Sequence, residues 1–314
     1  MAIAISQSRI DQHALLSVEM GWTIARLAYH EVNGLYWPFM KTTTPELGQW
    51  IVMFDEKVFQ LSPGWVCTEC CRSIPQDSWQ RRCVACEDLP RTLRFRCIYT
   101  SAGEPFAKSC TPKEPYPCGD TQHAQWYCLR EYVLYIGCIG PKLKIGICAL
   151  NRGGAKTGYI HRLVEQGLDF AVVLRHPKKM SLAEAQMLEA EISEEFGLSQ
   201  KLTFNEKVEA LFSNNAAIAT VLEIIQAILQ RYPPLQILAH CDLREKTITS
   251  PDISHKGLLN LLDQARILRF PLQLVGRIVF TQGELAIMES DDEYFMLNLR
   301  DLVGRVMVDS EEGF

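Results

Sequence analysis

The chain has 314 residues, of which 47% are hydrophobic and 22% are charged, and its formal net charge is −5 at pH 7. These proportions are ordinary for a globular protein with an apolar core, and the length predicts two or three domains. No apolar run approaches the roughly 18 residues of a membrane span, and the acidic balance argues against a protein that coats nucleic acid non-specifically.

The first segment, residues 1–62, is predicted to consist of β-strands. Between residues 15 and 62, short apolar runs alternate with turn residues such as Asn33 and Gly34. This alternation is typical of strands joined by hairpins. The pattern assigns no function to the segment.

Four cysteines in the next segment, residues 63–130, have the spacing of a zinc site. Cys67 and Cys70 form one C-x2-C pair, and Cys83 and Cys86 form a second. Each pair makes a tight turn that presents two thiolates, and four thiolates satisfy one tetrahedral zinc ion. Buried free thiols or disulfides are the alternative, and Cys71 is a bystander.

Four further cysteines in the same segment suggest a second zinc site. They are Cys97, Cys110, Cys118 and Cys128. The segment is rich in proline and poor in periodicity, so we expect metal and not an apolar core to order it. The alternative is a mixture of free thiols and one ligand lent to the first site.

The cysteine pattern also bears on where the protein resides. Zinc-type cysteine spacing favours a reducing compartment. The amino-terminal residues lack the basic stretch that begins a secretion signal. We therefore expect a cytoplasmic protein with no membrane partner.

Residues 131–235 are predicted to form an α/β module with a three-stranded sheet. The predicted strands span 132–137, 142–148 and 170–174, and the predicted helices span 157–166, 182–196, about 206–212 and about 215–231. The helix over 182–196 begins with a capping box formed by Ser181 and Glu184, and Gly197 ends it.

The last segment, residues 236–314, is predicted to be rich in β-strands, with a meander over about 272–308. The predicted fold class is therefore α+β. It combines a zinc-binding cysteine-rich segment, a central α/β module, and β segments that flank them at the amino and carboxyl ends.

One carboxylate of the module, Glu189, lies on the apolar face of its predicted helix. At about 100° per residue, Glu189 falls within the stripe that contains Ala185 and Ile192. A carboxylate on a buried face needs a partner, because desolvating it alone costs several kcal/mol. Either Glu189 forms a buried salt bridge, with Arg162 as the candidate, or it binds a metal ion or acts in catalysis.

Three other side chains of the module have related chemistry. Tyr135 and Lys144 lie on the two strands of the predicted hairpin, and Arg162 lies on the helix that follows. Phosphodiester cleavage needs a base, cations that neutralise the transition state, and a carboxylate that holds a divalent ion. Taken singly, a tyrosine here is more often a core residue and a lysine more often a surface residue.

The module also contains a locally basic stretch. Residues 141–179 carry eight Lys or Arg against two acidic residues, a local balance of +6. Such a stretch on an acidic chain suits a small anionic site or a short nucleic-acid footprint, and the alternative is a solvated face without a ligand. The residues predicted to contact nucleic acid are Arg152, Lys156, His161 and Lys178.

The order of these motifs resembles the GIY-YIG endonuclease superfamily. More narrowly, the chain resembles the cysteine-rich family catalogued as domain of unknown function 2797. The resemblance covers about residues 65–308 and includes the cysteines and the helix of Glu189. Its other matching pieces are Leu134-Tyr135-Ile136-Gly137, Lys144-Ile145-Gly146-Ile147, Arg162 to Gly167, Leu274 to Phe280 and Leu297-Asn298-Leu299-Arg300.

The resemblance implies a role for each of the four residues Tyr135, Lys144, Arg162 and Glu189, which are called the charged cluster below. Tyr135 would activate the nucleophile, Arg162 would bind the phosphate, and Glu189 would hold Mg²⁺ or Mn²⁺. Lys144 stands where nucleases of the superfamily carry a second tyrosine. The implied function is a zinc-stabilised, metal-dependent phosphodiesterase that acts on DNA or RNA. The alternative is a non-catalytic nucleic-acid-binding or adaptor protein on the same scaffold.

Overall fold

The computed structural model of the chain describes residues 22–32, 35–43, 48–52, 59–61, 65–68, 70, 72–75, 82–87, 130–151, 158–213, 216–244, 248–249, 264–267, 274–290, 293–302 and 306–309. These residues form two largely antiparallel sheets with helices, which confirms the α+β class. Within them, no helix combines the length and the apolar character needed to cross a lipid bilayer.

The strands, in chain order, are β1 (Trp22–Val32), β2 (Leu35–Thr43), β3 (Gly48–Val52), β4 (Phe59–Leu61), β5 (Tyr132–Ile139), β6 (Lys142–Ala149), β7 (Phe170–Arg175), β8 (Gln236–Asp242), β9 (Ile248–Thr249), β10 (Arg266–Ile267), β11 (Leu274–Gln282), β12 (Leu285–Ser290), β13 (Glu293–Asn298) and β14 (Val306–Asp309). The helices are α1 (Val84–Glu87), α2 (Gly158–Gln166), α3 (Leu182–Phe196), α4 (Phe204–Leu211) and α5 (Ile218–Arg231), and a 3-10 helix spans Leu299–Leu302.

The smaller sheet has four strands in the order β6-β5-β7-β8, all antiparallel to their neighbours. The predicted strands β5, β6 and β7 are confirmed, but the prediction of three strands is wrong. The fourth strand, β8, comes from residues that follow the predicted module. It lies at an edge of the sheet with mostly exposed side chains, so its sequence lacks the apolar alternation that marks a half-buried strand.

Helices cover both faces of this sheet. One face carries Val133 and Tyr135 of β5 and is covered by α2 through Leu163 and Val164. The opposite face carries Leu134, Ile136 and Val172 and is covered by α3 and α5, which contribute Ala185, Ile192, Val221, Ile225 and Ile228. The alternation along β5 follows from the two-residue period of a strand that is buried on both sides.

Capping residues set the helix boundaries. The Ser181 hydroxyl accepts from the Glu184 amide at 3.3 Å, Glu184 accepts from the Ser181 amide at 2.7 Å, and Gly197 has φ 62°, as the predicted cap requires. A second capping box, Thr203 with Glu206, begins α4 at residue 204, two residues before the predicted start.

The larger sheet joins strands from both ends of the chain. Its order is β10-β13-β12-β11-β4-β14-β1-β2-β3, and β9 pairs with β11. The predicted meander is present as the hairpins β11–β12 and β12–β13. Because β4 lies between β11 and β14, and β14 lies between β4 and β1, the amino- and carboxy-terminal β segments share one sheet.

Candidate metal centre and charged cluster

The four cysteines of the two C-x2-C pairs lie together. The sulfur atoms of Cys67, Cys70, Cys83 and Cys86 are all within 4.8 Å of one another, and Cys70 Sγ lies 3.7 Å from Cys83 Sγ. In a tetrahedral zinc site with Zn–S distances of about 2.3 Å, the sulfurs are roughly 3.8 Å apart. The four cysteines could therefore bind one metal ion such as zinc.

Local backbone contacts hold these sulfurs in place. The Cys67 amide donates to the Arg72 carbonyl at 2.7 Å and the Ile74 amide to the Trp65 carbonyl at 3.0 Å, so the first pair sits in a short hairpin turn. The Cys86 amide donates to the Cys83 carbonyl at 2.9 Å within the second turn. Burial raises the pKa of the Cys86 thiol, so a bound cation is what would favour its thiolate form.

The predicted second zinc site lies outside the described residues. Cys97, Cys110, Cys118 and Cys128 all fall in the stretch between Glu87 and Arg130. The remaining described cysteines do not belong to either set: Cys138, Cys148 and Cys241 are buried in or beside the smaller sheet.

Tyr135 and Lys144 lie on the α2 face of the smaller sheet. Tyr135 is directly opposite Gly146, and Lys144 is opposite Gly137. A Cβ built on Gly146 would overlap the ring and hydroxyl of Tyr135, so glycine at this position makes room for the phenol. Lys144 donates its ammonium to the carbonyl of Gln200, in the segment that follows α3 and pairs with the edge of β6.

Arg162 lies on α2 with about a third of its side chain exposed. Its Nη1 donates to Glu165 Oε2 at 2.9 Å, one helical turn further along. Its positive charge acts on three other groups of the cluster, because it lowers the pKa of Tyr135, Lys144 and Glu189. Arg162 on α2 is therefore within electrostatic range of side chains on β5, β6 and α3.

Glu189 is partly buried on α3 and has no hydrogen bond or ion pair within the part of the chain that the structure describes. Among the described residues, the structure therefore does not have the alternative of a closed Glu189–Arg162 salt bridge, and Arg162 pairs with Glu165 instead. Burial raises the pKa of Glu189 to about 7, although the charges of Lys144 and Arg162 act to lower it. Such a carboxylate is suited to bind a cation or to take up a proton near neutral pH.

The cluster titrates close to neutral pH at two positions. Burial, together with the charges of Arg162 and Lys207, lowers the pKa of Lys144 to about 8. Burial also raises the pKa of Tyr135. The four side chains differ in solvent access. Tyr135 is 1% exposed and Lys144 is 4% exposed, although a lysine is more often a surface residue, whereas Arg162 and Glu189 are partly exposed.

The predicted nucleic-acid contacts are only partly described. Arg152 and Lys156 lie outside the described residues. His161 precedes Arg162 on α2, and Lys178 is exposed in the β7–α3 loop. The basic stretch does not form a uniform cationic face, because several of its charges are paired or buried. Lys142 pairs with Glu209 at 3.4 Å, Arg175 pairs with Glu131 at 2.7 Å, and Lys144 is buried.

Sequence reasoning missed three charged residues beside the cluster. Lys207 of α4 donates to Glu284, in the turn between β11 and β12, and Glu284 also pairs with Arg300. Lys207 carried a signal, because it lies on the apolar face that α4 forms with Phe204 and Leu211. Glu284 carried none, since it is 77 residues away along the chain.

No family model matches this chain, and comparisons with curated proteins and with solved structures find no match.

Proposed function

We propose that the protein is a metal-dependent phosphodiesterase that acts on nucleic acid and that Glu189 holds the divalent ion, Mg²⁺ or Mn²⁺. The observation that carries the proposal is the state of Glu189. Its carboxylate is partly buried, unpaired within the described residues, and close enough to Lys144 and Arg162 for their charges to act on its pKa. A divalent ion would satisfy this carboxylate, because it offsets the cost of burying the charge.

The other side chains have complementary roles under this proposal. The guanidinium of Arg162 would bind the phosphate, since it is partly exposed and carries its charge at all relevant pH values. The Lys144 ammonium would neutralise charge that develops in the transition state. The Tyr135 hydroxyl, which stays a neutral phenol because burial raises its pKa, would orient the attacking water by a hydrogen bond once substrate binding gives access to it.

The burial of Tyr135 and Lys144 favours a second candidate, a nucleic-acid-binding or adaptor protein without catalysis. A phenol that packs over Gly146 and an ammonium that binds the Gln200 carbonyl are already satisfied by contacts within the protein. Arg162 and the exposed cations Lys178 and Lys179 would then contribute to binding alone. The two candidates share their cations and differ in whether Glu189 is needed.

The cysteine cluster has a structural role in both candidates. We assign zinc to it, because the sulfur atoms of the four cysteines lie within 4.8 Å of one another and four cysteine ligands are a set that structural zinc prefers. Thiolate ligation of this kind suits a reducing compartment, which agrees with a cytoplasmic protein.

A cleavage assay tests the proposal. Purified full-length protein is incubated with labelled single- and double-stranded DNA and RNA, with Mg²⁺, with Mn²⁺ or with neither. Cleavage should require the ion and should fall by roughly 10²-fold or more in Glu189→Ala and in Arg162→Ala, the scale for loss of a group that stabilises transition-state charge. Glu194→Ala is the matched control, because Glu194 is an exposed glutamate on the same helix.

Binding measured on the same variants separates the two candidates. If no substrate is cut with either ion, but nucleic acid is bound and Glu189→Ala binds as well as the native protein, the binding candidate replaces the phosphodiesterase. If nucleic acid is neither cut nor bound, both candidates fail.

A further inference from the structure

Three charged residues from separate parts of the chain lie together beside the charged cluster. Lys207 is 4% exposed, and its Nζ donates to Glu284 Oε1. The other oxygen of this carboxylate, Oε2, pairs with Arg300 Nε. Two cations thus share one carboxylate, which leaves one positive charge uncompensated within the group. A buried ion pair contributes little net stability, because desolvation offsets the attraction.

The group of Lys207, Glu284 and Arg300 lies within electrostatic range of Arg162, the residue proposed to bind phosphate. Burial lowers the pKa of Lys207, Glu284 acts to raise it, and the charges of both Arg300 and Arg162 lower it further. Lys207 and Glu284 in turn act on the pKa of Lys144. Lys207 is therefore within electrostatic range of both arginines.

Tight packing fixes Glu284 relative to α2. The Gln282 amide nitrogen donates to the Gly167 carbonyl at 2.9 Å and to Asp169 Oδ1 at 2.8 Å. A Cβ on Gly283 would overlap the backbone of Gly167, so the β11–β12 turn lies directly against the end of the helix that carries Arg162. The turn cannot shift far without breaking these contacts.

Arg300 is anchored but keeps its outer guanidinium nitrogens accessible. The flanking residues Leu299 and Leu302 are buried, the Leu299 amide donates to the Glu284 carbonyl at 2.6 Å, and the Arg300 amide donates to Asn298 Oδ1 at 3.0 Å. The side chain of Arg300 is 51% exposed. Within the described residues, its Nη1 and Nη2 have no hydrogen-bond partner. Arg300 Nε forms an ion pair with Glu284 Oε2 without a hydrogen bond between them, so the guanidinium lies beside Glu284 with its donors available for a phosphate.

We propose that Arg300, held by Glu284 and backed by Lys207, binds a second backbone phosphate of the nucleic-acid ligand, distinct from the phosphate assigned to Arg162. This inference rests on the proposed action on nucleic acid, in either its catalytic or its binding form. Under this inference, the carboxy-terminal β-meander contributes to the proposed nucleic-acid-binding site. The uncompensated charge of the group and the open nitrogens of Arg300 both favour an anion there.

The test measures binding separately from cleavage. Labelled single- and double-stranded DNA and RNA oligonucleotides are titrated with the full-length protein at several salt concentrations, with no Mg²⁺ or Mn²⁺ added. Arg300→Ala should weaken binding about 5- to 10-fold at low salt and reduce the slope of log K against log salt by about 1, the change for one lost phosphate contact. Arg300→Lys should retain the slope and lose only part of the affinity, because it keeps the charge and loses the two-donor geometry.

Arg266→Ala is the matched control. Arg266 also lies in the carboxy-terminal β segment and pairs with Glu293 at 3.3 Å, but it is on β10 at the edge of the larger sheet. Its binding should equal that of the native protein. If the native protein binds oligonucleotides and Arg300→Ala binds like Arg266→Ala, the inference is overturned while the proposed function stands. If the native protein binds no oligonucleotide, both fall.

Discussion

The burial of the Glu189 carboxylate affects the stability of the fold in a pH-dependent way. Burial raises its pKa from the ordinary value of 4.5 to about 7. Between these two pH values the folded chain binds more protons than the unfolded chain, so the free energy of unfolding contributed by this group falls as pH rises. Above pH 7, the folded protein holds a partly desolvated carboxylate that has no ion-pair partner among the described residues.

Replacing this charge should therefore stabilise the protein only at the higher pH. Glu189→Gln removes the charge and keeps the shape, so we expect it to raise the free energy of unfolding by roughly 1 to 3 kcal/mol at pH 8 and to change it little at pH 4. Urea unfolding at the two pH values measures the difference. Glu194→Gln, on the exposed side of α3, should show no such pH dependence. An equal effect of Glu189→Gln at both pH values would contradict the burial of this carboxylate.

The residues that sequence could and could not predict differ in the range of their contacts. The helical phase that put Glu189 on an inner face depends on residues within two turns, and the same phase applied to α4 finds Lys207. The partners of Lys207 and Lys144 could not be predicted in this way. Glu284 meets Lys207 from 77 residues away, and Lys144 binds a backbone carbonyl, which no side-chain pattern marks.

At the level of the local element, the cysteine turns were predictable because their ligand spacing is fixed by the geometry of a single turn. Among the described residues, the apolar cluster around them is small and consists of Trp65, Cys67, Ile74 and Cys86, with Cys83 at its edge. A cluster of this size supplies little hydrophobic stabilisation, so the order of the element should depend on its metal ion.

Metal analysis of cysteine variants tests this dependence. Protein purified without chelator should contain zinc, and Cys83→Ser should lose about one equivalent of metal per chain relative to the native protein, because one of the four ligands is removed. Cys148→Ala, which removes a buried thiol of the smaller sheet, should keep the native metal content. Zinc should also be released as pH falls, since protons compete for the thiolates. Unchanged metal in Cys83→Ser would rule out this cluster as a zinc site.

The strands of both sheets also differ in how well the sequence predicts them. Strands β5 and β7 are buried on both faces and, apart from the exposed Arg175 that ends β7, are almost entirely apolar, so the sequence marks them clearly. The edge strand β8 is mostly exposed, and β9 and β10 have two residues each, so their patterns are too weak or too short to predict. The order of the strands within the larger sheet is even harder to predict, because pairing between the two ends of the chain leaves no local sequence pattern.

For the molecule as a whole, β14 is the strand that joins the two ends of the chain. Met307 pairs with Trp22 of β1 on one side and with Leu61 of β4 on the other, so a four-residue strand near the carboxyl end joins two amino-terminal strands. On the far side of β4, Leu61 pairs with Leu274 of β11. The amino-terminal strands thus connect, through β4 and β14, to the meander that carries Glu284, and the order of one end of the chain depends on the other.

Removing β14 should therefore affect strands more than two hundred residues away. A chain that ends at residue 305 loses the hydrogen bonds of Met307 to both neighbours, so amides of β1 and β4 should exchange with solvent roughly tenfold faster or more, while β5 and β7 keep their protection because they belong to the other sheet. Hydrogen–deuterium exchange of the two chains measures this. A chain that ends at residue 309 keeps β14 and should exchange like the native protein. If β1 and β4 exchange at native rates in the chain that ends at residue 305, the two ends fold independently, and the meander reaches the charged cluster without help from the amino-terminal strands.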